Sequence, residues 1–171
     1  ITEMLKARMD LSMSEVLIGQ GFYNEVLELL RGRERYFAGK AIKQESFVDD
    51  KGNLKSRKLT DEEIKVRYTD YARLLTSIAN TYRNKGNFKS ADSAFAMATG
   101  WIDKNLGEST LVYVQNQYNW SNLIVEGGLE ADQSFPKGTG YDRAINNLKI
   151  AHKPSHYMGI EIFRIVKDED A

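Results

Sequence analysis

Cysteine is missing from this chain altogether. Without thiols it can form neither a disulfide framework nor a thiolate metal site, and it has no cysteine nucleophile. Proline is almost as scarce: Pro136 and Pro154 are the only two, so nothing before position 135 is proline-broken. That condition suits long helices. Charge of one sign is lacking too, since Lys and Arg total 24 and Asp and Glu total 24. A net charge of zero supplies no field to hold a phosphate backbone, so nucleic acid is not an expected partner. Long apolar runs are absent as well. The longest, such as NLIV and MGIEIF, fall far short of the roughly 20 residues that cross a bilayer, and no charged start leads into an apolar stretch. Membrane insertion is therefore not expected. A cytoplasmic location is, although the start at Ile1 points to trimming and leaves a secreted or periplasmic origin open.

What the chain does have is an ordinary globular composition in 171 residues, 42% hydrophobic and 28% charged, which predicts one domain over 1–171. Its most informative stretch is IANTYRNKGNFKSADSAFAMA, residues 78–98. Small or apolar residues recur at Leu75, Ile78, Ala79, Tyr82, Ala91, Phe95 and Ala98. Spacings of three and four put the first four on one helical face and the last three on another. Between them Gly86 is free to take the left-handed conformation that ends a helix, and Asn87 can cap the next. The spacing predicts a helical hairpin in which Ala79 and Ala91 let two backbones approach.

The pattern recurs. Met13, Ser14, Leu17, Gly21, Tyr23, Val26 and Leu30 repeat Ile78, Ala79, Tyr82, Gly86, Phe88, Ala91 and Phe95 at a constant offset of 65. Trp120, Ser121, Ile124 and Gly128 repeat Ile78, Ala79, Tyr82 and Gly86 at an offset of 42. Together these residues resemble the tetratricopeptide repeat, whose W-x2-L-G-x2-Y and A-x3-F pattern is met in the middle unit with Leu75 in place of Trp and Ala79 in place of Gly. The 42-residue spacing and the DKNLGEST linker resemble the kinesin-light-chain-like variety. The resemblance implies an all-α fold: a short right-handed α-solenoid of about three hairpins with loop insertions. The units span about 5–38, 60–105 and 110–152, and a C-terminal capping helix is expected at about 155–169.

Two insertions interrupt the units. Residues 37–58 separate the first from the second, and their DDKGN is a turn signal that either closes a small hairpin or marks a mobile loop. TDEE, 60–63, is a capping box opening a helix that runs to about Lys85. LEADQSFPKGTG interposes a short helical piece, a proline and two glycines before a second helix through Tyr141, Ala144, Leu148 and Ala151.

Motifs with chemistry are few. His152 and His156 lack a further ligand at a readable spacing, so no metal and no cofactor are expected. There is no GxSxG, P-loop or HExxH, and a self-contained enzyme is not expected. GTG at 138–140 is read as a turn. NWS, Asn119–Ser121, matches a glycosylation acceptor but falls mid-helix with Ser121 in the packed register. The basic KGNLKSRK is read as a solvated loop ahead of the acidic DEE.

What remains is the groove that the resemblance implies. First helices of such hairpins line it, and residues one face away from the packing positions point into it. In the middle unit these are Arg73, Thr76, Ser77, Asn80 and Arg83; downstream they are Gln115, Tyr118, Asn119, Asn122 and Val125; upstream they are Arg8, Leu11, Glu15 and Ile18. Asn and Arg can bond the backbone amides or terminal carboxylate of an extended peptide. Repeats that clamp a carboxylate terminus carry a lysine where this chain has Thr76. The expected function is a non-catalytic module, scaffold or sensory, that binds a protein or peptide segment. The alternative is an accessory domain of a larger enzyme or signalling protein. Apolar surface at the solenoid's ends would also permit self-association.

Overall fold

A computed structural model describes residues 3–37, 42–133, 135 and 140–158. The chain is mostly helical. Helices α1 (Glu3–Gly19) and α2 (Tyr23–Glu34) are followed by one 3₁₀ turn (Arg35–Phe37). Strands β1 (Gln44–Val48) and β2 (Leu54–Lys58) come next, and then α3 (Asp61–Asn84), α4 (Phe88–Asn105), α5 (Leu111–Gln133) and α6 (Gly140–Met158).

Local chemistry explains the boundaries. Thr60 and Glu63 form the reciprocal capping box: the Thr60 hydroxyl accepts from the Glu63 amide at 3.2 Å, and the Glu63 carboxylate accepts from the Thr60 amide at 2.9 Å. At the other end of α3, Gly86 has φ 77°. The Asn87 amide reaches back to the Tyr82 carbonyl and the Gly86 amide to that of Arg83, both at 2.9 Å, which satisfies carbonyls the helix leaves open. The same pair of bonds ends α1, from Phe22 to Leu17 and from Gly21 to Ile18, at 3.0 Å each. Asn87 then accepts from the Ser90 amide to start α4.

The third unit breaks at the position equivalent to Gly21 and Gly86. Gly128 has φ 54° and ψ −138° inside α5, so the helix kinks there and a short helical piece continues to Gln133. Beside it, Gly127 lies so close to Phe88 that a Cβ would come within 2.9 Å of the ring.

Each helix packs on the next, and in addition α1 touches α3 and α3 touches α5. No Cα of α2 lies within 8 Å of one in α4, nor of α4 in α6. Odd-numbered helices thus lie together while the even-numbered backbones spread. Ser14, Ala79 and Ser121, at equivalent places, are each fully buried, as are Val26, Leu30, Ala91 and Phe95. Aromatic rings fill the space beside them, with Tyr71 stacked on Phe37 at 5.4 Å and edge-on to Trp101 at 4.6 Å.

Three expectations take a different form in the structure, and one open alternative, hairpin or loop at 37–58, is decided for the hairpin. Met13 is 54% exposed where its counterpart Ile78 is buried, because no described helix lies beyond α1 to cover it. Leu11, read as a groove position, is buried in the core against the following helices. The insertion of 44–58 is an antiparallel hairpin with Gln44 opposite Lys58 and Val48 opposite Leu54, turned by Gly52 at φ 81°. Finally, α6 runs through Pro154 to Met158 instead of ending before a separate helix at 155. A proline removes one helical hydrogen bond and kinks a helix without having to end it. The capping helix expected beyond Met158 lies outside the described residues.

Candidate functional site

Side-chain contacts set three helices in one sense. Arg8 bonds Asp70 at 2.5 Å and Arg73 pairs with Glu15 at 3.6 Å, joining α1 to α3. Thr76 donates to the Asn116 carboxamide oxygen at 3.0 Å, Arg83 donates to the Asn119 carbonyl at 3.4 Å, and Arg83 pairs with Glu126 at 3.6 Å, joining α3 to α5. Early residues meet early ones and late meet late, so α1, α3 and α5 run parallel.

Along α3 they enclose a cleft of about 380 Å³. Glu15 comes from α1; Arg73, Thr76, Ser77 and Asn80 form the floor; Val112, Gln115, Tyr118 and Asn119 come from α5. Eight of the fourteen groove positions read from sequence are therefore brought together: Glu15, Arg73, Thr76, Ser77, Asn80, Gln115, Tyr118 and Asn119. Arg83 and Asn122 do not line the cleft. The Arg83 side chain is 15% exposed and turned into the α3–α5 seam by Asn119 and Glu126, with its Nε buried and unpartnered.

The floor is anchored from beneath by a polar network. Asn116, fully buried, accepts from Thr76 and donates to the Thr99 hydroxyl at 2.8 Å and the Phe95 carbonyl at 3.3 Å. Gln117 also donates to Thr99, at 3.1 Å, and Thr99 donates to Phe95 at 3.0 Å. Thr76 thus uses its hydroxyl as a donor inside the protein. Sequence reading passed over Asn116 and Gln117, although Asn116 stands three residues after Tyr113 and four before Trp120, on the face those residues bury. Two acceptors near the cleft, Asn80 Oδ1 and Gln117 Oε1, are buried without a partner. A buried orphan of this kind costs roughly 1–3 kcal/mol.

A second cleft, also about 380 Å³, lies between α1, the hairpin and α3. Arg57 bridges Glu45 and Glu63, each at 2.7 Å, while buried Arg67 pairs with Glu45 at 3.6 Å and donates to the Gln44 carbonyl at 2.9 Å. The Arg57 guanidinium, followed by the Thr60 amide, holds the Glu63 carboxyl down at about 2, and burial pushes Arg67 below its ordinary value. These ion pairs hold the hairpin to α3, whose backbone β1 and β2 do not approach.

The remaining sequence candidates divide. Ser121 of NWS is buried mid-helix and bonds the Tyr118 carbonyl at 2.6 Å, while Asn119 lines the cleft. In KGNLKSRK, Lys55 pairs with Asp49 at 2.9 Å and Arg57 with the two glutamates. The His152 and His156 side chains and residues 138–139 of GTG lie outside the described ones. Among the described residues no group of three or more His, Asp or Glu is placed to hold a metal, and no helix is long and apolar enough to cross a membrane. No protein-family model, curated protein or solved structure matches this chain.

Proposed function

We propose that the chain is a short solenoid of the tetratricopeptide type that binds an extended peptide segment of a partner protein in the cleft over α3. The parallel α1, α3 and α5, the spread even-numbered backbones and the repeated glycine turns at 21, 86 and 128 support the architecture. One observation carries the function: side-chain carboxamides of Asn80, Gln115 and Asn119, from two helices, converge on one cleft that Arg73 and Tyr118 also line. A carboxamide both donates and accepts, as a peptide unit does, so a row of them matches a main chain in any sequence. The unpartnered Asn80 Oδ1 adds an acceptor that a turn of the side chain would offer to an incoming N–H. Arg73 is 51% exposed and held only at 3.6 Å by Glu15, leaving it free to favour an acidic residue in the segment. This is a binding role, and no catalytic step is assigned to the cleft.

The test is selection of binders from a library of displayed 12-residue peptides, followed by fluorescence anisotropy with the selected peptides. Asn80→Ala with Asn119→Ala is expected to weaken binding at least tenfold with unchanged circular dichroism. Peptides bound equally well by that variant would place the binding surface elsewhere and overturn the assignment.

A further inference from the structure

We infer that the outward face of α1 docks a second copy of this chain, α1 against α1, antiparallel about a two-fold axis. The inner face of α1 buries Ala7, Leu11 and Ser14. Opposite stand Leu5, Met9, Met13 and Val16, at 46%, 57%, 54% and 55% exposure, with Leu5 also at the edge of the second cleft. At 3.6 residues per turn these four fall within about 80° of arc. The exposed residues on that side of the helix include one charged group, Lys6; the other exposed charge, Glu15, turns to Arg73. Solvent-facing helices normally carry charge there, and the outer face of an end unit in a helical stack is polar when nothing covers it. Charge depletion with methionine enrichment is the composition of an interface centre.

Spacing and area favour a second copy as the occupant. Leu5 and Val16 lie equally far from a point just short of Leu11, to within half a residue, or about 0.75 Å of rise. Met9 and Met13 do the same about that point. In an antiparallel pair, Leu5 of each copy therefore meets Val16 and each Met9 meets Met13, the self-complementarity that a two-fold requires. This sense also opposes the helix dipoles. Four half-exposed side chains amount to roughly 400 Å² of apolar surface, comparable to the largest apolar patch of a typical monomer, which is often functional. Two such patches with their borders cover about 1,000–1,200 Å², the lower end for a specific interface. An interface of this size belongs with weak, transient associations.

Sedimentation across about 5–500 µM should show the mean mass rising from the 19.5 kDa monomer toward twice that value. Met9→Glu with Met13→Glu should stay monomeric with an unchanged thermal melt. Because the chain has no cysteine, single Met9→Cys and Met13→Cys proteins report the register even where the glutamate variant fails to fold. Oxidised together, they should give the 9–13 disulfide well above the half expected by chance. A chain that remains monomeric throughout the range, association unaltered by a folded glutamate variant, or like-with-like disulfides in excess would each overturn the inference.

Discussion

At the scale of single residues, glycine and small side chains govern what this sequence can do. Gly86 has open space around it, so Gly86→Ala is expected to cost only the left-handed backbone term, about 1 kcal/mol. Gly128, at φ 54° and ψ −138°, lies outside the left-handed helical well in a region that glycine nearly monopolises. Gly128→Ala should therefore cost more, about 1–3 kcal/mol. Urea denaturation of the two variants gives the order directly, and equal losses would mean that the kink relaxes. Asn116 is the polar counterpart. Asn116→Leu keeps the volume but strips partners from Thr76 and Thr99 in a buried site, for an expected loss of about 1–3 kcal/mol. The equilibrium unfolding midpoint reports it.

Among the elements, the hairpin is the one whose attachment is mainly electrostatic. Glu63 sits at about 2 because of Arg57, well under its usual 4.5. A carboxyl depressed on folding stabilises the folded form above its unfolded value and loses that contribution as pH falls through the folded one. Hairpin docking should thus be intact above pH 4.5 and weaken from there toward pH 2. Amide exchange at β1 and β2 is expected to accelerate over that window, and Glu63→Gln should flatten the dependence. The groups are exposed, so salt should weaken the docking too. Replacing 44–58 by a Gly-Ser linker, with buried Ile42 and Leu59 retained, should leave the helical circular dichroism intact, since the strands pair with each other and meet α3 only through side chains such as Arg67. Loss of helicity would show that the hairpin supports the core.

The whole molecule carries no net charge, and its cleft presents mainly uncharged side chains, three of them carboxamides. Peptide affinity in the cleft is therefore expected to change less than about threefold between 0.05 and 0.5 M salt, because main-chain hydrogen bonds are not screened as ion pairs are. Anisotropy titrations measure it; a drop above tenfold would assign the binding to Arg73 rather than to the amides. Here too the helices show how a groove arises in a chain of this size. Parallel α1, α3 and α5 stay in contact while α2, α4 and α6 spread, and the cleft opens where α3 is flanked on both sides.

Much of this was readable from local rules. Helical periodicity, the Thr60 capping box and the glycine turns at 21, 86 and 128 depend on residues within a few positions of each other, and a linear sequence displays such relations in full. So does the choice of face: Arg73, Thr76, Ser77 and Asn80 share one because of their spacing alone. What the sequence could not rank was the partner each residue would find across the fold. Arg83 has the spacing of a groove residue, but Glu126 and the Asn119 carbonyl draw it into a seam. Leu11 has the same register as Thr76, and being apolar it is buried. Asn116 looks like a solvated amide until Thr76 and Thr99 are beside it, 40 and 17 residues away. Sequence by itself determined where most helices start and turn, the end of α6 beyond Pro154 excepted, because those are short-range backbone costs; tertiary structure alone decided which polar groups are spent inside the protein and which face the cleft, because desolvation and pairing depend on neighbours distant in the chain.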